Sequence, residues 1–225
     1  MRAYATNSKG TAYGAAESFK TLAISGGITY GSMTDQDGNT YKTVTIGALT
    51  WMAENLKTTK YRNGELIGTT TPATLDITSE ATPKYQWAYA GVEANAAIYG
   101  RLYTWYATTD SRNIAPAGWH VATDAEWMTL ITNNGIGIGG MYQEVGSEHW
   151  IIGNTNATNS TGFTALPSGQ RFSGSPFFLA KGQVSMWWSA TDPGSAKAKE
   201  FGVAENFVYG EISKKYACAV RCVKD

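Results

Sequence analysis

The chain has 225 residues, 43% of them hydrophobic, with 18 basic and 18 acidic side chains. That is enough for one good-sized core, or one domain plus a fragment of another, and formal neutrality argues against a nucleic-acid binder because no basic surplus exists to release phosphate counterions. Charged residues are only 16%, while 25 Gly, 13 Tyr and 8 Trp point to short strands and long packed loops instead of a helical bundle.

Residues 1–22, "MRAYATNSKGTAYGAAESFKTL", predict two strands joined by Asn7-Ser8-Lys9-Gly10, a hairpin too small to fold alone. It resembles the last two strands of the immunoglobulin-like or fibronectin-type modules of bacterial surface proteins; an N-terminal hairpin of the main domain is the alternative. Residues 23–34 are expected to be a linker, and 35–225 the main domain. Asp37-Gly38 and Asn63-Gly64 are turn signals, and Tyr41, Val44 and Ile46 fit short strands. The Asp35–Gly38 run lacks the rest of a calcium loop and suits a tight turn. "TWMAENL" (50–56) predicts one or two helical turns, and 68–98 a loop insertion.

Thr123 and Glu126 have capping-box spacing, and Trp127, Leu130 and Ile131 follow on one apolar face. A helix is therefore expected from there to Asn133-Asn134-Gly135. Beyond residue 140, "FTALPSGQRFSGSPFF", "VSMWWSA", "AKEFGVAENFVYGEIS" and "YACAVRCVKD" predict strands broken by turns. Helices in the first half and an antiparallel sheet mostly in the second make an α+β chain. Trp187 and Trp188 are neighbours, so in a strand they face opposite ways.

Chemistry-bearing residues are sparse. No nucleophile elbow, P-loop or dinucleotide fingerprint occurs. His120 and His149 are the only histidines, and His120 suits a satisfied, half-buried position. Cys218 and Cys222 would lie about 13 Å apart on one strand, beyond disulfide reach unless the strand breaks, and no zinc-ligand spacing is present. No stretch approaches the ~18 apolar residues of a membrane span. No signal-peptide pattern opens the sequence, which leaves a cytoplasmic chain or a piece of a longer exported protein.

The phrases "YKTVTIGALTWMAENLKTTKYRNG", "YGRLYTWYA", "APAGWHVATDAEWMTL", "STGFTALPSGQR", "WWSAT" and "AVRCVKD" together resemble the Fibrobacter succinogenes major paralogous domain family over residues 35–225. That family is similar to the formylglycine-generating-enzyme branch of the C-type lectin fold. The resemblance implies two helices, a small twisted antiparallel sheet and long structured loops, with "WWSAT" in the sheet and protein on both its faces. It implies a non-catalytic, surface-displayed binding module for a protein or glycan, outside the cell or on its surface. No cofactor is expected, although calcium braces the loops of some proteins of this fold. Two alternatives stay open: a copper-dependent oxidase using Cys218 and Cys222, and a structural cell-surface or pilus module.

Some similar proteins are variable proteins of diversity-generating retroelements, with residues rewritten between the "LPxGxR" and "VRC" phrases. In this interval Phe172, Ser173, Ser175, Phe178, Val184, Ser185, Phe207, Val208 and Tyr209 are oddly assorted among fixed-looking Gly169, Arg171, Gly174 and the tryptophans. Aromatic anchors beside small polar residues make them the candidate ligand face.

Overall fold

A computed structural model describes residues 4–13, 27–134, 139–152 and 154–225. Strands β1 (Tyr4–Asn7) and β2 (Gly10–Tyr13) form an antiparallel hairpin that, among the described residues, pairs only with itself. The other described residues carry three antiparallel sheets and three α-helices, an α+β arrangement.

The first sheet joins β3 (Gly31–Thr34), β4 (Thr40–Ile46), β5 (Leu49–Met52), β15 (Cys222–Lys224) and β8 (Trp119–Val121), in that spatial order. Residues 31–34, expected in the linker, are thus this sheet's edge strand. The expected helical turns at 50–56 are absent. Gly47 adopts φ +63°, so Gly47-Ala48 closes a two-residue hairpin that sets Trp51 opposite Val44. At the other turn, the Gly38 N–H donates to Asp35 O and Gly38 takes φ +84°. The second sheet runs β10 (Phe178–Leu179), β9 (Gln170–Arg171), β14 (Ala217–Cys218), β7 (Leu102–Thr104) and β6 (Gln86–Trp87). The third holds β11 (Ser185–Trp188), β12 (Lys197–Val203) and β13 (Phe207–Ser213). Strands therefore occupy both halves of the chain, not mainly the second.

Helix α3 (Asp124–Asn134) starts as its capping box predicts. Glu126 accepts from the Thr123 N–H at 2.8 Å, and the Glu126 N–H donates to Thr123 Oγ1 at 3.4 Å. Trp127, Leu130 and Ile131 are all buried. Two further helices make three where two were expected: α1 (Glu93–Tyr99), inside the supposed loop insertion, and the single turn α2 (Trp105–Thr108), capped by Thr104. The mixed Ala, Ile and Tyr of α1 bury only Ala96 and Tyr99, a stripe too thin to stand out as a period.

"YACAVRCVKD" is not one strand. Its halves, β14 and β15, enter the middles of two different sheets, and Arg221 fills the break. That guanidinium is fully buried and donates to Asn55 Oδ1 (2.7 Å), Met52 O (2.7 Å), Phe163 O (2.9 Å) and Thr164 O (3.1 Å), lying 4.4 Å over the Phe163 ring. Arg171 is its counterpart in the second sheet, donating to Ala73 O, Leu75 O and Phe172 O, 4.0 Å over Trp87. Desolvation lowers both, Arg221 to about 9 and Arg171 to about 10, so both stay charged at neutral pH, held by carbonyl dipoles and ring faces without a buried carboxylate.

The main core gathers on Trp127, whose ring lies 4.9 Å from Trp51, 5.4 Å from Trp187 and 5.5 Å from Phe201. Trp187 and Trp188 are both fully buried, on opposite faces of β11. Trp187 joins the Trp127 core and donates to Asn55 Oδ1 at 2.8 Å. Trp188 joins a smaller cluster with Trp105, Met186, Ala198 and Cys218, donating to Tyr103 O at 2.7 Å. Sheet β11–β13 is thus packed on both sides near β11, with β13 at its outer edge.

Candidate ligand-binding face

The nine candidate residues come from three segments that the sheets bring near one another. Between β9 and β10 the chain makes a tight hairpin, with the Phe172 N–H donating to Phe177 O at 2.6 Å and the Phe177 N–H to Gly174 O at 3.0 Å. Phe177 is forced to φ +49°, a conformation uncommon for a bulky side chain and found where surroundings impose it. Ser175 is exposed at the tip. Phe172 is half-buried, edge-on to Tyr216 at 4.6 Å. Phe178 leans the other way, onto Tyr89 at 5.2 Å and the main core.

Strand pairing sorts the rest. Val208 sits beside Gly202 and, one strand further, Met186, so it shares the Trp188 side of the sheet. Val184 packs on that side too, with Ile212 and Tyr216. Phe207 and Tyr209 take the opposite side, Phe207 against Tyr142 at 5.0 Å and Tyr209 tilted on Phe201 at 5.9 Å. Val208 and Tyr209 are the exposed pair, at 42% and 62%.

Three of the nine, Phe172 through its contact with Tyr216, Val184 and Val208, therefore share the Trp188 side, where Tyr216 and Ile212 also pack. Ser175 is accessible at the hairpin tip, and Tyr209 is exposed on the other side of β13. Ser173 and Ser185 leave the face: both are buried, Ser173 accepting from the Ile77 N–H through its carbonyl and Ser185 paired between Val203 and Gly169. Phe178 and Phe207 serve the core more than the surface. Tyr216, which anchors Phe172, was missed because "SKKYA" reads as a turn, and no periodic signal marks its ring.

Beneath this face lies a polar cluster, on the side of β12 that Ala198, Glu200 and Gly202 share by alternation. Glu200 is buried and accepts from Gln170 Nε2, with the Cys218 thiol 3.6 Å away. Burial pushes its carboxyl up to about 7 against those two bonds. Cys218 and Cys222 are both buried free thiols raised by burial, and they belong to separate clusters. His120 bridges Asp225 and Glu126, each at 2.7 Å. His149 meets Glu144 at 2.8 Å.

The Asp35 and Asp37 carboxylates do not suit a calcium ion, since their oxygens are taken by Asn39, Tyr41, Thr58, Thr59 and Lys60. Among the described residues no group of three or more His, Cys, Asp or Glu is placed to hold a metal ion, and no helix is long and apolar enough to cross a membrane. An open groove of about 750 Å³ lies elsewhere, on the first sheet beside Tyr30, Thr43, Thr45 and Met141, and includes no candidate residue.

Residues 44–224 match the sequence model of the family described as the Fibrobacter succinogenes major domain. No curated protein and no solved structure gives a significant match.

Proposed function

This chain belongs to the Fibrobacter succinogenes major domain family, and from that premise we propose that it is a non-catalytic binding module with a C-type-lectin-like frame, displayed at a surface, whose ligand is a protein or a glycan. One observation carries the proposal: both tryptophans of β11 are spent on internal packing on opposite faces, so the frame does not depend on the residues beside it. Phe172, Val184 and Val208, with Ser175 at the hairpin tip and Tyr209 exposed on the other side of the edge strand, are then free to meet a ligand. Half-exposed rings over a rigid base give contact area at small entropic cost. This separation also suits a segment whose identity is rewritten by a diversity-generating retroelement, because change there leaves the tryptophan packing intact.

The copper-oxidase alternative has less support. Thiolate ligation needs two deprotonated sulfurs on one ion, whereas these two thiols lie in separate clusters and burial opposes their ionisation. The test is binding of the purified protein to a glycan array and to an array of purified surface proteins, alongside a Cu(I) titration. A hit lost in a Phe172→Ser, Val208→Ser, Tyr209→Ser triple variant with unchanged melting supports the module. Tight Cu(I) binding abolished by Cys218→Ser, or hits that the triple variant keeps, would overturn it.

A further inference from the structure

Strand β13 is the terminal strand of its sheet, with no backbone partner on its outer side among the described residues. The Lys214 N–H donates to Ala196 O and the Ala204 N–H to Asn206 O. With the register of β12 and β13, those bonds fix which residues face inward: Val208, Gly210 and Ile212 bond to β12. Phe207, Tyr209 and Glu211 therefore turn their N–H and C=O groups outward. Exposed edges are ordinarily shortened, bulged, or guarded by Lys or Pro. The other terminal strands, β3, β6, β8 and β10, span four residues or fewer, and β11 is closed by its bridge to Ala219. β13, "FVYGEIS", spans seven residues, with no Pro or Lys and a single charge.

We infer that β13 pairs edge to edge, antiparallel, with β13 of a second copy, about a two-fold axis at Gly210. The strand is complementary to itself in that register. Only there do Phe207–Ser213 and their counterparts overlap completely. Val208 then lies opposite Ile212 of the other copy, an apolar pair on the Trp188 side. Tyr209 lies opposite Glu211, placing a phenol donor beside a carboxylate. An axis at Glu211 would instead oppose two like charges, which is unfavourable. Formal neutrality of the chain removes long-range repulsion between copies. The result is an isologous, closed contact that joins two three-stranded sheets into one of six and sets two candidate ligand faces in a single sheet.

Gly210 provides the decisive probe. At a non-hydrogen-bonded antiparallel pair the Cα atoms approach to about 4.5 Å, within disulfide range. A Cβ added at Gly210 meets nothing within 4 Å, and both native cysteines are buried. Under mild oxidation the Gly210→Cys protein is expected to run as a covalent dimer on a non-reducing gel, whereas exposed Ser195→Cys stays monomeric. Light scattering of the unmodified chain is expected to show a concentration-dependent dimer. Glu211→Pro deletes an outward N–H at a position where an edge strand tolerates proline, and should weaken that dimer at least about tenfold with melting retained. A monomer at every concentration, equal cross-linking of both cysteine variants, or a dimer indifferent to Glu211→Pro while folded would overturn the pairing. Binding of a foreign extended peptide to β13 without self-association would do so too. None of these outcomes depends on the identity of the ligand.

Discussion

Glu200 is an acid kept in a place that favours its neutral form. Its carboxyl is raised by burial from 4.5 to about 7, so between those values the folded chain holds a proton that the unfolded chain has released. Stability from this group is therefore present below about pH 4.5 and falls as pH rises towards 7, by up to ~3 kcal/mol at 1.36 kcal/mol per unit. Glu200→Gln should flatten that part of the profile; urea midpoints at pH 5 and pH 8 check it, and an unchanged slope would show that the carboxyl is not the source. His120 acts in the same direction at higher pH. Burial alone would lower it, but Asp225 and Glu126 together raise it above 6.5. Its contribution is full below 6.5 and is lost as pH rises from there through its folded value, so His120→Gln should lose stability chiefly at acidic pH. Arg221 differs from both because it stays charged throughout. Arg221→Met would strip the donor from three carbonyls and Asn55, at an expected cost of at least ~3 kcal/mol, measured by urea denaturation. A loss below ~1 kcal/mol would mean that those carbonyls find other partners.

Elements that announce themselves do so through local chemistry. The Thr123-x-x-Glu126 box and the Trp127, Leu130, Ile131 stripe made α3 legible, and Thr123→Ala should cost about 1 kcal/mol, read from the thermal midpoint. In β11, adjacency alone set Trp187 and Trp188 on opposite faces, and both are buried. Replacing either by Ala should cost ~3–5 kcal/mol, with Trp187→Ala also freeing the Asn55 carbonyl that it shares with Arg221. Illegible elements are those whose reason lies far away in sequence. β5 is a strand because Gly47 closes a hairpin and β15 arrives from the other end of the chain to pair with Trp51; nothing within "TWMAENL" states that. α1 has too narrow a buried stripe to give a period. The break at Arg221 was invisible because "ACAVRCV" alternates acceptably as one strand, and only the four acceptors around the guanidinium explain the bend. Within the candidate face, the burial of Glu200 beneath Val208 follows only from the pairing of β12 with β11 and β13. Ser173 and Ser185 look like surface by composition and are buried by the strands they join.

At the scale of the molecule, β1–β2 and the sheets of the family domain share no strand pairing among the described residues. The family match begins at Val44, the first sheet begins at Gly31, and the hairpin's strands pair only with each other. A two-stranded hairpin gains too little burial to fold unaided. Arg221 and Arg171, by contrast, tie distant segments within the domain, and β14 and β15 make its C-terminal end central to two sheets. Cooperativity should follow that division. Deleting residues 1–26 is expected to leave the main melting transition within about 2 °C, the shift of a change well below 1 kcal/mol in a domain of this size. Removing Arg221 to Asp225 should abolish the transition, because two sheets lose the bond between them at once. A large destabilisation by the N-terminal deletion would assign the hairpin to the domain itself, and with it the linker would cease to be a boundary.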